Sequence, residues 1–422
     1  MHKLRFRFRQ VLTLLLLPLG YLGYYYCRSA WAVIQPVLLE QATDLPGVSL
    51  SALGWVAVAG TLAYALGKLI SAPVIDAIGG RSLFTFGLAI SVLATVALGL
   101  GAGISSLLLA WVISQIGQSL GWGSLLKMAS RWFSGRSTGQ VLGLASLSYL
   151  FGDAWVRWHL GHLLETGYGW RGIVLVAAAL AAGVAVLVWL LVYTEPPSSH
   201  ALPLEAEPEP TPSFWARLGP LARHPAFWMV LLASLCLHTV RETFLQWSVT
   251  FLAAGGKLTA AEAARLSSVF ALAGGVSALL FGWLADLLGP KLRSSGAALA
   301  LALLGLLFVV WSSRFGHLQR ESLTWMLAGT GLLLMGPFSL LAGVMALDLG
   351  SRRGGAATAN LTDGVGYLGG LLAGLGIVNL VDEQGWAALF PLLAAASWVA
   401  ALALFLYGWF YVKSSSVYQY SE

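Results

Sequence analysis

Two arginines, Arg28 in the segment YYYCRSAW and Arg241 in LHTVRETF, sit inside apolar runs long enough to cross a bilayer. A guanidinium stays charged at any accessible pH and forks onto phosphate or carboxylate oxygens through two hydrogen bonds. Holding such a charge at the bilayer centre costs about 2.5–3.5 kcal/mol on insertion scales, so it survives where it faces a polar cavity or a partner. The pattern points to an anion pathway. The two positions lie 213 residues apart (241 minus 28), about half of the 422-residue chain, as a duplicated fold would place them.

Other polar groups share these apolar runs. Lys68 either adds a third positive charge to an anion site or steers anions toward its mouth; alternatively it snorkels to the interface. Tyr24, Tyr25 and Tyr26 flank Arg28, where a hydroxyl can donate to an anion or the rings can pack between helices. Asp153 and Arg157 stand four apart on one helix face. They form either a structural pair that is neutral before insertion, or a functional one in which Arg157 helps hold an anion and Asp153 couples protons or recognises an amine. Glu242 and Asp363 either neutralise cations or mark proton coupling or a zwitterionic solute. His159 and His162 are read as packing or interfacial histidines.

The elements that must position these groups are membrane helices. Hydrophobic residues make up 58% of the chain, charged residues 10%, and 18 tryptophans are present, with a mean hydropathy of +0.78. This exceeds the apolar content of soluble domains. Twelve segments of spanning length are expected near 11–39, 51–75, 82–104, 106–130, 139–164, 171–193, 225–252, 263–288, 294–312, 322–347, 356–381 and 386–411. The fold class is therefore an all-α membrane protein of twelve transmembrane helices. Of the 24 basic residues, fourteen fall on the side of both termini and five on the other. By the positive-inside rule the termini are cytoplasmic. The basic pI near 9.4 thus reports topology, and nucleic-acid binding is not expected. The basic start followed by VLTLLLLPLG imitates a signal peptide, but with eleven further spans an uncleaved first helix is expected. The two cysteines, Cys27 and Cys236, are read as buried thiols.

Residues 194–213 carry six prolines and four glutamates with almost no large apolar side chain, the composition of a flexible linker. The expected organisation is a six-helix bundle over 1–193, a cytoplasmic linker with an interfacial helix over 194–224, and a second six-helix bundle over 225–422. The halves repeat. Asp76-Ala-Ile-Gly79-Gly-Arg81 follows the second span and Asp286-Leu-Leu-Gly289-Pro-Lys291 follows the eighth, the two aspartates lying 210 residues apart (286 minus 76). A carboxylate at a helix end, a turn glycine and a following base can staple adjacent helix ends and break in a conformational change. Asp76, Arg81, Asp286 and Lys291 are therefore gating candidates. This pattern resembles the signature loop of the major facilitator superfamily, a 6+6 pseudo-symmetric fold in which a midplane site alternates its access.

A narrower resemblance follows from five further stretches. They are Tyr21 through Pro36, Gly67-Lys68, Gly117-Gln-Ser-Leu-Gly121-Trp122, Arg241 with Leu245-Gln-Trp247-Ser, and Gly336-Pro337 through Gly364-Val-Gly-Tyr367-Leu-Gly369-Gly370. Together they resemble the organophosphate:phosphate antiporter family, which includes glycerol-3-phosphate and hexose-phosphate transporters. The resemblance implies that Arg28 and Arg241 hold the phosphate, one from each half, with Lys68, Tyr24, Tyr25 and Tyr367 nearby. The fifth span departs from the pattern: Ser148 stands where glycerol-phosphate members carry histidine.

The expected function is exchange of a small organic phosphate for inorganic phosphate by rocker-switch alternating access in the inner membrane, as a monomer. The chain is not expected to be an enzyme, and no cofactor or metal is implied, because its glycine-rich stretches lie within spans and cannot serve as phosphate-binding loops. Two rivals remain: a proton-coupled symporter of a carboxylate, phosphonate or zwitterion, and a receptor that binds a sugar phosphate without flux. Arg28→Lys and Arg241→Lys keep the charge but lose the bidentate fork. Each is expected to weaken anion binding severely; near-normal transport by either variant would overturn the assignment.

Overall fold

The computed structural model describes residues 2–132, 136–192, 222–315, 319–341, 345, 348 and 361–419. Residues 194–213 and most of the expected interfacial helix lie outside the described residues, as does the side chain of Asp76. Each apolar run folds as a helix because, without water, backbone N–H and C=O groups must be satisfied within their own segment. The helices are α1 (His2–Glu40), α2 (Leu50–Ile78), α3 (Gly80–Gly99), α4 (Ile104–Ser119), α5 (Gly121–Trp132), α6 (Arg136–Glu165) and α7 (Trp170–Leu191). After the linker come α8 (Pro225–Ala254), α9 (Ala260–Leu287), α10 (Pro290–Arg314), α11 (Arg320–Leu340), α12 (Leu361–Gln384) and α13 (Leu389–Gln419). Only Leu120 separates α4 from α5, so the two form one rod and the twelve expected spans correspond to twelve rods. Among the described residues, ten are long and apolar enough to cross a membrane by length and composition alone. The other two, α1 and α6, carry Arg28 and the Asp153–Arg157 pair.

The chain divides into two compact units: Met1–Pro208 with Leu252–Ser268, and Glu209–Phe251 with Val269–Glu422. In the first, α1 packs against α6 and α7, α3 lies against α4 and α7, and α2 lies against α4. Glycine permits the closest of these approaches. A Cβ at Gly87 would sit 2.6 Å from both the Gly117 carbonyl and the Tyr24 hydroxyl, and one at Gly121 would sit 2.9 Å from the Tyr24 ring. The Gly117–Trp122 motif therefore makes the seat for Tyr24. The Leu252–Ser268 hairpin joins this unit through α6: Gly161 lies against Ala261 and Arg265, and Glu165 pairs with Arg265.

In the second unit, α10 packs on α11 and α13. Stacked rings of Phe244, Phe270 and Phe308 join α8 to α9 and α10. The Trp247 indole donates to the Ala373 carbonyl at 2.8 Å, and the Ser234 hydroxyl donates to the Thr362 carbonyl at 2.7 Å, tying α8 to α12. Outward-facing apolar residues such as Leu69, Leu93, Leu299 and Trp283 are more than half exposed, as expected of surfaces whose solvent is lipid.

The repeated loop differs between its two copies. Gly79, between α2 and α3, has φ +96° and ψ 148°, and its N–H closes on the Ile75 carbonyl. Lys127 of α5 also donates to that carbonyl, at 2.9 Å. Only glycine takes this backbone conformation at low cost. Gly289 has φ −67° and ψ 167°, which any residue adopts. An added Cβ would meet nothing within 4 Å at either position, so backbone conformation alone separates them. Gly79→Ala is expected to destabilise the protein by about 1–2 kcal/mol, whereas Gly289→Ala should stay within about 0.5 kcal/mol of the parent or stabilise it. Thermal unfolding of the two variants in detergent checks this.

Candidate functional site

In the first unit the site is built by α1, α2 and α4. Tyr21, Tyr24, Tyr25, Arg28, Tyr64 and Gln118 line a small cavity. The Arg28 guanidinium lies 4.7 Å from the Tyr64 ring centroid and 6.0 Å from that of Tyr25. The Lys68 ammonium lies 5.5 Å from the same Tyr64 ring. Tyr64 and Lys68 stand one turn apart on α2, so the helix itself sets their pairing. The quadrupole of the ring attracts both cations, each contact being worth about 0.5–2 kcal/mol depending on desolvation. Arg28 and Lys68 thus meet at one aromatic ring, beside a tyrosine-lined cavity.

The tyrosines divide between wall and scaffold. The Tyr24 hydroxyl donates to the Phe84 carbonyl at 2.6 Å, so its proton serves the α1–α3 contact even though the ring lines the cavity. The Tyr25 ring stacks on Tyr149 with a 6.5 Å centroid separation. Tyr26 turns away toward α6, where its hydroxyl accepts from the Trp155 indole and meets His159 Nδ1 at 3.0 Å. Tyr21, Gln118 and Tyr64 line the cavity without having been site candidates in the sequence, and of these Tyr64 is the one that meets both cations. Its signal was the i, i+4 relation to Lys68.

Asp153 and Arg157 are both 3% exposed and are not among the cavity-lining residues. The Arg157 Nε donates to both carboxylate oxygens, at 3.0 and 2.9 Å, and Ser29 of α1 donates to the same carboxylate. The guanidinium also reaches the Ser267 hydroxyl at 3.4 Å. This geometry is that of a buried pair whose lone pairs and protons are answered locally, the condition under which burying two charges is tolerated.

In the second unit Arg241 is held by α8 and α11. Its guanidinium lies 4.8 Å from the Phe338 ring centroid and pairs with Glu242 at 2.5 Å. Gln246, one turn on, donates to the other Glu242 oxygen at 3.3 Å. His238, one turn before Arg241, packs edge-on against the same Phe338 ring, 4.9 Å between centroids. It also meets Tyr367 at 6.0 Å and Asp363 at 3.5 Å. Phe338 and His238 were missed by sequence reasoning, although both adjoin motifs already singled out. Gly366 exists for this contact: a Cβ there would fall 2.2 Å from the histidine ring.

Of the gating candidates, Arg81 donates to the Trp189 carbonyl and lies over its ring at 4.7 Å. Asp286 and Lys291 are exposed, and neither makes an ion pair among the described residues. The carboxylate that does pair near the second loop is Asp348, 3.6 Å from Arg293. Burial pushes its carboxyl up, while the Arg293 charge pulls it down.

The sequence model of the Major Facilitator Superfamily matches residues 19–374. Among curated proteins, the chain is 23% identical to the membrane sensor protein UhpC of Salmonella typhimurium, over 95% of this chain and 92% of that one. It is 24% identical to the glycerol-3-phosphate transporter of Bacillus subtilis, over 92% and 90%. With the mouse glucose-6-phosphate exchanger SLC37A1 it shares 25% identity over 81% and 75%. In fold it is similar to a bacterial homolog of the human lysosomal transporter Spinster in its inward-facing, occupied conformation, with a TM-score of 0.70, 18% identity and 96% of both chains covered. The chain is therefore a multi-pass membrane transporter belonging to the Major Facilitator Superfamily, and its curated relatives include proteins of the organophosphate:phosphate antiporter family.

Proposed function

We propose that this protein exchanges a small organic phosphate for inorganic phosphate across the cytoplasmic membrane. The observation that carries the reading is the convergence of Arg28 and Lys68 on the Tyr64 ring beside a tyrosine-lined cavity. Two cations brought to one ring repel each other, and a phosphate dianion offsets that repulsion while the guanidinium fork fixes its orientation. The names of the relatives from Bacillus subtilis and mouse support a phosphate ester as the organic partner. In this reading each repeat offers one arginine, Arg28 or Arg241, to the phosphate, and access alternates by a rocker-switch movement that proceeds only when the site is loaded. Both termini face the cytoplasm, the gating loops are those of Asp76–Arg81 and Asp286–Lys291, and the protein acts as a monomer.

A sensor reading shares the same binding chemistry and is favoured by the likeness to a protein named as a membrane sensor. Flux separates the two. In proteoliposomes of the purified protein at fixed pH, uptake of radiolabelled inorganic phosphate is expected to require internal unlabelled phosphate. Tens of millimolar external phosphate should compete with an organic phosphate substrate. Phosphate binding without exchange, in folded protein, would replace the exchanger with the sensor.

The Asp153–Arg157 geometry supports a bracing role for that pair. Asp153→Asn leaves the Arg157 charge buried without its carboxylate, which costs about 3–5 kcal/mol. A fall in thermal stability with transport retained in the surviving folded fraction is expected. Normal stability with pH-independent, abolished uptake would instead assign Asp153 to proton coupling.

A further inference from the structure

His238 is 3% exposed, and both of its ring nitrogens meet oxygen. Nδ1 lies 2.9 Å from the Ser234 carbonyl oxygen, which can only accept. The Ser234 hydroxyl lies 3.3 Å from the same nitrogen, but its proton already goes to the Thr362 carbonyl at 2.7 Å, leaving its oxygen as a second acceptor. Nδ1 must therefore carry hydrogen, and in a neutral ring Nε2 is then a bare acceptor. Nε2 faces an Asp363 carboxylate oxygen at 3.5 Å. An unprotonated nitrogen opposite an ionised carboxylate sets lone pair against lone pair. A proton between them removes the conflict, whether it resides on the imidazole or on the carboxyl.

From this geometry we propose that His238 and Asp363 form a proton-binding site holding one exchangeable proton, one helical turn from Arg241. Among the described residues, the titratable groups near it include Arg241 and Glu242 on α8 itself and Tyr367 on α12, and α11 contributes the Phe338 ring. With the proton the dyad is neutral overall; without it, Asp363 leaves a net negative charge beside the histidine that contacts the same Phe338 ring as the Arg241 guanidinium. An incoming anion then competes with that charge for Arg241. Proton and anion are therefore taken up together, and by linkage each strengthens the binding of the other. The proton site stands on the His238 geometry alone, and only its coupling to phosphate rests on the proposed function.

Nitrogen-15 NMR of the full-length protein in detergent micelles reads the site with no substrate present. The His238 signals are assigned by their loss in His238→Gln, or in His238→Asn should the first variant fail to fold. The expected result is hydrogen fixed on Nδ1 and a second nitrogen whose signal changes with pH. That change should be displaced or lost in Asp363→Asn and kept in Asp363→Glu. Hydrogen found on Nε2 with Nδ1 bare, or a pH response identical in wild type and Asp363→Asn, overturns the proposal. Titration with inorganic phosphate then reads the coupling. From pH 6 to pH 8 the wild type is expected to lose on the order of tenfold more affinity than His238→Gln. Equal losses overturn the coupling. An intact NMR response with no phosphate binding at any pH supports the proton site and overturns the phosphate reading instead.

Discussion

Everything in this molecule is arranged around the expense of keeping charge inside an apolar slab. At several of these positions the answer includes a specific contact other than water. Arg28 and Lys68 meet the ring of Tyr64, Arg241 meets the ring of Phe338 and the Glu242 carboxylate, and Arg157 closes on Asp153. The contacts differ in what they leave available. A ring face attracts a cation through its quadrupole and takes up none of its N–H donors in that contact. A carboxylate that accepts from Nε through both oxygens engages that N–H donor directly. The same residue type is therefore held in two chemically different ways, and its neighbour decides which.

The positions of these contacts are set by how closely helices approach. Membrane helices gain little from excluding lipid, so packing must come from small residues that let backbones touch. Gly117 and Gly121 seat Tyr24 against α3, and Gly366 and Gly369 bring α12 onto α8 at His238, Leu235 and Thr239. The glycines touch no ligand themselves. They fix the distance at which tyrosine, histidine and arginine side chains from different helices can meet.

Much of this was legible in the sequence. Apolar runs specify the rods, and the repeated Asp-x-x-Gly loop and the spacing of the arginines point to the duplication. The helical phase of single residues is less legible, because a run of consecutive tyrosines points in several directions and only packing assigns each one. Tyr24, Tyr25 and Tyr26 look equivalent as letters, yet one bonds a backbone carbonyl, one stacks on Tyr149 and one turns toward His159. Tyr64 and Phe338 went unrecognised because an aromatic residue in an apolar helix carries no mark of the cation it will meet across the interface. The repeated loop shows the reverse failure: Gly79 and Gly289 match as letters, but only the first occupies a backbone conformation that demands glycine.

Seating Arg28 and Lys68 at a single ring also has an electrical consequence. Two positive charges fixed to the framework move with it, and a membrane potential does work of about 2.3 kcal/mol per elementary charge for every 100 mV traversed. In the proposed exchange, a phosphate dianion lodged against them would cancel that charge, so the loaded protein would cross between its two states without feeling the voltage. Emptied, the site would carry its charge uncancelled. The potential would then bear on the vacant carrier, which does not cross, and spare the loaded one, which does.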